Sequence, residues 1–460
     1  MVYGNTVAAV STPYGKGGIA VIRITGDSAV EIASRCFRPS GPLSLSDVPS
    51  GKTVYGKVTE GGTVIDDGIA VVFRAPRSYT GEDTVEISCH GGILVTRNVL
   101  AAVLAAGADP AGPGEFTRRA FVSGKLSLTE AEAIADIIDA RTDSMLRLSR
   151  QNASGKLSGR IEEVYQGIVQ IIASVYALID YPEEDLSDIP AEKIRGEIER
   201  FHGEITDLLS TYRAGRAIAS GVETTICGRT NVGKSSVYNM LVGADRAIVS
   251  DVEGTTRDLL YETVAVGNVT LNLCDTAGMR DSEDTVEKIG IERAVERALA
   301  SELLLAVFDG SDDITADDEL VIGKLAHVPQ ERIIALINKC DMKPGSCRDK
   351  IKNAFMHTVE ISARTGEGFD RLRSVIEDIY LEGVINVDET PIIYNARQYA
   401  AVKKASDSLK NAMDALESGF SPDVVSVDLE LALEALGECD GRSVSEDVVE
   451  SIFSRFCVGK

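Results

Sequence analysis

Residues Gly228-Arg229-Thr230-Asn231-Val232-Gly233-Lys234-Ser235 form a G-x-x-x-x-G-K-[ST] loop between a β-branched run, Glu223–Cys227, and a helix-like stretch starting near Lys234. That order dictates strand, glycine loop and helix N-terminus, the arrangement in which loop amides and a helix end converge on one anion. Gly228 and Gly233 let the backbone N–H groups from Asn231 to Ser236 turn toward phosphate oxygens. Lys234 brings a cation to the β- and γ-phosphates, and Ser235 offers its hydroxyl to Mg²⁺. In isolation a glycine-rich turn with a chance Lys-Ser would look the same. Three later signatures, in order and at the right spacing, remove that reading.

Asp275-Thr276-Ala277-Gly278 ends an apolar strand, Val269–Cys274, and so sets a carboxylate at a strand tip beside the metal, with a flexible glycine under the γ-phosphate. Asn338-Lys339-Cys340-Asp341 closes a second buried run, Arg332–Ile337. The Asp341 carboxylate can accept from both N1–H and N2–H₂ of guanine, whereas adenine would leave it unpaired. Ser362-Ala363-Arg364 follows the strand Phe355–Ile361 and suits a backbone contact to guanine O6. Between the first two motifs, Ser250-Asp251-Val252-Glu253-Gly254-Thr255-Thr256 is the first switch, with Thr256 placed to reach Mg²⁺ and the γ-phosphate. The second switch starts at Gly278. Met279 stands where Ras-like proteins carry the glutamine that orients the attacking water, which makes Glu287 a candidate for that role. The stretch Asp281–Glu287 also suits a plain solvated acidic face leading into a helix, Lys288–Ala300.

Taken together these motifs resemble the tRNA-modification GTPase family MnmE, also called TrmE. Further marks outside the G domain are Gly17-Gly18-Ile19-Ala20-Val21-Ile22-Arg23, Tyr79-Thr80-Gly81-Glu82-Asp83, Pro113-Gly114-Glu115-Phe116-Thr117 and the final Phe456-Cys457-Val458-Gly459-Lys460. The last is the most specific, since other GTPases of this branch lack it. Thr230 and Ser250 stand where the family commonly has Pro and Thr.

The resemblance implies a folate-binding N-terminal domain related to aminomethyltransferases. Arg23, Glu86, Lys125 and Lys460 would then hold a tetrahydrofolate derivative, 5-formyl- or methylene-tetrahydrofolate. It also implies a K⁺ site at Asn231, Ser250, Val252 and Thr255. Geometry agrees, because Asn231 can offer a side-chain carbonyl and the first switch can offer backbone carbonyls. Cys457 has two readings: a tail cysteine that packs, or a nucleophile or acid near the one-carbon group whose pKa the flexible tail and Lys460 lower. The implied activity is GTP hydrolysis within an enzyme that adds a carboxymethylaminomethyl or aminomethyl group to C5 of the wobble uridine, U34, of certain tRNAs. The implied partners are a second copy of the chain and an FAD-dependent protein like MnmG (GidA), in a heterotetramer or larger. A rival of another class is an Era-like ribosome-assembly or signalling switch. Such switches append a basic RNA-binding module, whereas the last 70-odd residues here are helical in pattern and acidic. A further rival is a free-standing folate-dependent methyltransferase with a regulatory GTPase.

At 460 residues the chain is too long for one core. Its formal charge is −24, yet residues 1–120 hold 11 Lys+Arg and 11 Asp+Glu, so the acidic excess lies downstream. A surface this acidic has no footprint for gripping nucleic acid unaided, so tRNA contacts fall largely to the partner. Eight scattered cysteines without C-x-x-C, and four histidines, argue against a disulfide framework or zinc site. No 18-residue apolar run or signal-peptide pattern is present, which points to the cytoplasm and to no membrane role.

The expected fold is multidomain α/β. Residues 1–120 form an α+β domain with strands at Thr6–Ser11, Ile19–Thr25, Gly68–Phe73 and Thr84–Ser88 and helices at Ser28–Cys36 and Ile93–Ala106. Residues 121–215 and 384–460 form one helical domain, with helices from Leu128 to Ile179 and at Ala191–Arg213, Asn395–Leu416, Ser426–Leu436 and Ser445–Phe456. A Ras-like G domain with a mixed, mostly parallel sheet, residues 217–383, is inserted into it.

Overall fold

The computed structural model describes residues 4–180, 191–244, 261–274, 301–381 and 390–460. They group into two compact units. One comprises Met1–Ala135, Ala153–Gln166 and Leu433–Lys460, the other Asp136–Asn152 and Gly167–Ala432.

The first unit is built on a seven-stranded sheet. Its strands are β1 (Val7–Val10), β2 (Ile19–Thr25), β3 (Phe37–Pro39), β4 (Thr53–Glu60), β5 (Thr63–Phe73), β6 (Thr84–His90) and β7 (Asp109–Pro110), in spatial order β3-β4-β5-β6-β2-β1-β7. Only the β1–β7 pairing is parallel. Alternation along the strands sends Ile22, Ile24, Val72, Val85 and Ile87 to one face, where helices Ala29–Cys36 and Ile93–Ala105 close the core. The opposite face carries Arg23 and Glu86, which stand directly across from each other in the β2–β6 register. Helix Glu115–Val122 packs with helix Glu446–Phe453, Phe121 against Phe453, and Leu128 and Phe456 join the same apolar cluster.

Three of the expected strands and both helices in this region fall within a few residues of their places, and β2 coincides with its expected bounds. Expected Gly68–Phe73 is the end of a longer strand, β5, whose partner β4 carried no expectation. Thr53–Glu60 pairs with β3 on one side and β5 on the other, and at Gly56 a side chain would lie 2.4 Å from the Arg38 carbonyl and 2.6 Å from the Phe37 ring.

The second unit contains a six-stranded sheet of β8 (Val222–Cys227), β9 (Tyr261–Val266), β10 (Val269–Cys274), β11 (Leu303–Asp309), β12 (Ile333–Asn338) and β13 (His357–Glu360), ordered β13-β12-β11-β8-β10-β9. Every pairing is parallel except β9–β10. Central strands β11 and β12 are buried throughout, the signature of a parallel sheet covered on both faces. One face packs Val222, Leu271, Leu305 and Leu336 with helices Lys234–Ala244 and Phe369–Leu381. The other packs Phe308, Ile333 and Ile337 with Val321 and Ile351.

Helices Ala191–Ser210 and Ala396–Glu417, which flank this sheet in the chain, pack on each other. The fold is thus the expected multidomain α/β architecture with a mixed, mostly parallel sheet inserted among helices. The helical run from Leu128 divides into Leu128–Asp139, Asp143–Ala153 and Lys156–Asp180. Expected helix Ala191–Arg213 breaks at Thr211 and resumes as Tyr212–Ala219. Asn268, in the β9–β10 turn, is held from helix Asp143–Ala153 by Ser144 Oγ and Arg147 Nη2, both 3.0 Å from its Oδ1.

Candidate nucleotide and N-terminal sites

The phosphate loop leaves the C-terminal end of β8 and enters helix Lys234–Ala244, as the motif requires. Gly228 sits at φ 143° and Gly233 at φ 97°. At Gly228 a Cβ would meet the Val307 carbonyl at 2.3 Å, and at Gly233 the Asn338 amide nitrogen at 2.2 Å. Glycine is therefore needed at both positions, for backbone conformation and for close approach.

Val232 is buried under the loop, Lys234 is half-buried, and Asn231, Ser235 and Ser236 are exposed. The Lys234 ammonium donates to the Arg229 carbonyl at 2.6 Å, and burial pushes its pKa below the ordinary lysine value. A partly desolvated cation at a helix N-terminus gains most from an arriving phosphate. Arg229 anchors the loop from outside, pairing with Asp312 and Asp318 at 3.1 Å each.

Asn338 joins the motifs. Its Nδ2 donates to the Val232 carbonyl at 2.8 Å, and its Oδ1 accepts from the Ala363 amide at 2.9 Å. Phosphate loop and base loop are thereby held by one buried side chain. Between them lies a cavity of about 540 Å³ lined by Gly233, Ser236, Asn338, Asp341, Ala363 and Arg364, among others. Asp341 lies at its edge. The Ser362 hydroxyl and the Arg364 guanidinium, 2.7 Å away, hold its carboxyl below the usual carboxylate range, so it is an ionised acceptor at neutral pH. Lys339 Nζ reaches Asn231 O at 3.1 Å and Asp309 Oδ2 at 2.5 Å. Nothing in the sequence pattern singled out Asp309. The signal available was an acid at the end of a wholly apolar strand.

Ser250, Asp251, Val252, Glu253, Gly254, Thr255, Thr256, Asp275, Thr276, Ala277, Gly278 and Glu287, with helix Lys288–Ala300, lie outside the described residues. Of the expected cation ligands, Asn231 and Ser235 are described.

In the N-terminal unit the Arg23 guanidinium pairs with Glu86 Oε1 at 2.8 Å, and its carbon lies 5.5 Å from the ring centres of both Tyr79 and Phe116. The Tyr79 hydroxyl hydrogen-bonds Thr117 Oγ1 at 2.9 Å. The sequence's last residues lie against this cluster. Phe116 N donates to Lys460 O at 3.0 Å, Ser11 Oγ donates to Gly459 O at 3.0 Å, and Cys457 is exposed. Lys125 Nζ is engaged by the Pro76 carbonyl at 3.0 Å. The structure therefore brings Arg23, Glu86 and the Lys460 backbone to one neighbourhood. Tyr79 and Phe116 are additions to it, present in the motifs that carried the resemblance but given no role there.

A phosphate loop on a parallel sheet, stitched by Asn338 to a base pocket with an ionised Asp341, defines a P-loop GTPase. The description "MnmE helical domain" fits residues 128–457 and "GTP-binding protein TrmE N-terminus" fits residues 6–125. The chain is 41% identical to the tRNA modification GTPase MnmE of Lactobacillus delbrueckii over 99% of its length and 98% of the relative's. Against the Geobacillus kaustophilus and Heliobacterium modesticaldum proteins of that name, identity is 39% and 40%, covering 99% of this chain and 99% and 100% of theirs. The chain belongs to the tRNA modification GTPase MnmE family, and it is a hydrolase acting on GTP. Among the described residues no helix is long and apolar enough to cross a membrane.

Proposed function

We propose that this GTPase serves a cytoplasmic enzyme that modifies C5 of the tRNA wobble uridine with a one-carbon unit from a tetrahydrofolate derivative. The observation that carries this reading is the Arg23–Glu86 pair, partly exposed and flanked by two aromatic rings with the last residues pinned alongside. A partly exposed carboxylate can accept from the N–H donors of a flat heterocycle, and the adjacent Arg23 guanidinium, itself lying over the Tyr79 and Phe116 rings, orients that carboxylate. Arg23, Glu86, Lys125 and Lys460 would hold the folate, with Lys125 released from Pro76. Bound there, it would supply the one-carbon unit.

The functional regions are residues 1–120 for folate, 121–215 with 384–460 as helical frame, and 217–383 for GTP. In the G domain Ser235 and Thr256 would hold Mg²⁺, with the loop amides and Lys234 on the phosphates. The N-terminal 120 residues are charge-neutral and the remainder acidic, which supports tRNA reaching the site through an FAD-dependent MnmG-like partner.

Calorimetry tests the folate site. The protein should bind 5-formyltetrahydrofolate stoichiometrically, and Arg23→Ala should abolish that binding while GTP turnover stays within twofold of the parent. Absence of folate binding by well-folded parent protein would remove the one-carbon role and leave the GTPase assignment standing.

A further inference from the structure

We propose that Asp309 is a positioning residue of the nucleotide site: it holds Lys339, and through Lys339 it fixes the phosphate-loop backbone at Asn231. Among the described residues only two non-glycine residues adopt the left-handed conformation, Asn231 at φ 62° and Lys339 at φ 63°. They belong to motifs 108 residues apart, and one hydrogen bond joins them, from Lys339 Nζ to Asn231 O at 3.1 Å. A β-carbon makes this conformation unfavourable, and it persists where surroundings over-determine it.

Asp309 provides that constraint. It ends β11 directly opposite Asn338 in the parallel register and is 8% exposed. Its Oδ2 takes the Lys339 ammonium at 2.5 Å, while Oδ1 accepts from Ser311 N at 3.0 Å and Ser311 Oγ at 2.7 Å. The Ser311 bonds fix the carboxylate, and the carboxylate fixes the lysine. The lysine then spans two loops, with one end of its reach on the strand tip and the other on the turn that faces the phosphates. Without the acid Lys339 would lose the fixed direction that engages Asn231 O.

GDP release from the full chain reads this out, followed with a fluorescent GDP analogue chased by unlabelled GDP. Losing one charge-assisted hydrogen bond should raise the dissociation rate of Asp309→Asn about tenfold or more. Preference for GDP over ADP should be retained, because Asp341 is untouched. In a Lys339→Ala background, Asp309→Asn should add little further, since both act on one link. A purely architectural role for Asp309 would instead lower the melting temperature and leave release unchanged. Unchanged release in folded Asp309→Asn, or fully additive effects in the double variant, would overturn the proposal. Lys339→Ala leaves the Ser311 turn intact and supplies an independent arm if Asp309→Asn does not fold: its release should accelerate at least as much, and an unchanged rate overturns the proposal equally.

Discussion

At the scale of single residues, the chemistry of the base pocket follows from one carboxylate and its neighbours. Asp341 keeps its charge because the Ser362 hydroxyl and Arg364 stabilise the ionised form. A depressed carboxyl contributes above its unfolded pKa of about 3.9, and the contribution is lost as pH falls through the lower folded value. GDP affinity should therefore show no loss from this group between pH 7 and about pH 5, with weakening only in stronger acid. Asp341→Asn replaces one acceptor oxygen with a donor, and GTP affinity should fall by about thirtyfold or more while ATP affinity changes little. Competition binding at neutral pH checks both, and equal GTP and ATP affinities in the parent would sink the guanine reading. The motif residues were legible in sequence because phosphate and guanine chemistry require particular side chains at short spacings. Asp309 was not, since its partner lies 30 positions away, and neither was the part Asn338 plays in joining two loops.

Elements were legible where periodicity and burial agree. Strands β8, β10 and β12 stand within a residue or two of the apolar runs that announced them. The helical texture from Leu128 to Ile179 was legible but its joints were not: one falls between Asp139 and Asp143, the other after Ala153, where Gly155 sits at φ 84°. Least legible was how the last residues dock, since their bonds span more than 300 positions. Val458 bridges Pro113, Cys457 O accepts from Gly114 N at 3.4 Å, and Gly459 lies at φ 98° where a Cβ would be 2.1 Å from Val10 O. Gly459→Ala therefore meets both backbone strain and a clash with a strand carbonyl. The expected outcome is loss of hydrogen-exchange protection at the Phe116 amide, with GTP turnover unchanged. Retained protection would mean the segment docks without Gly459.

For the whole molecule, charge sets the terms on which copies can meet. Formal charge is −24 and the excess lies beyond residue 120, so two G domains approaching each other do so against like charge. Raising ionic strength relieves that repulsion equally with any monovalent salt. A site that recognises K⁺ would act differently, neutralising charge that develops between the β- and γ-phosphates, a contribution worth roughly 10³–10⁵ in rate where an arginine finger supplies it. We propose that Asn231, on the exposed side of the phosphate loop, offers such a ligand with Ser250, Val252 and Thr255, and that Glu287 orients the attacking water. Closing the first switch there would create the surface for a second G domain. Matched KCl and NaCl separate the two effects, because their screening is the same. With a GTP transition-state analogue, dimerisation by light scattering should be strong in KCl and weak in NaCl, and GTP turnover should follow it. Glu287→Ala should leave nucleotide affinity nearly unchanged and lower turnover by more than about tenfold, since a water-orienting group acts mainly in the transition state. Equal rates in the two salts would remove the cation site. A Glu287→Ala protein as fast as its parent would return the acidic stretch to a solvated helix approach and leave the water to another group.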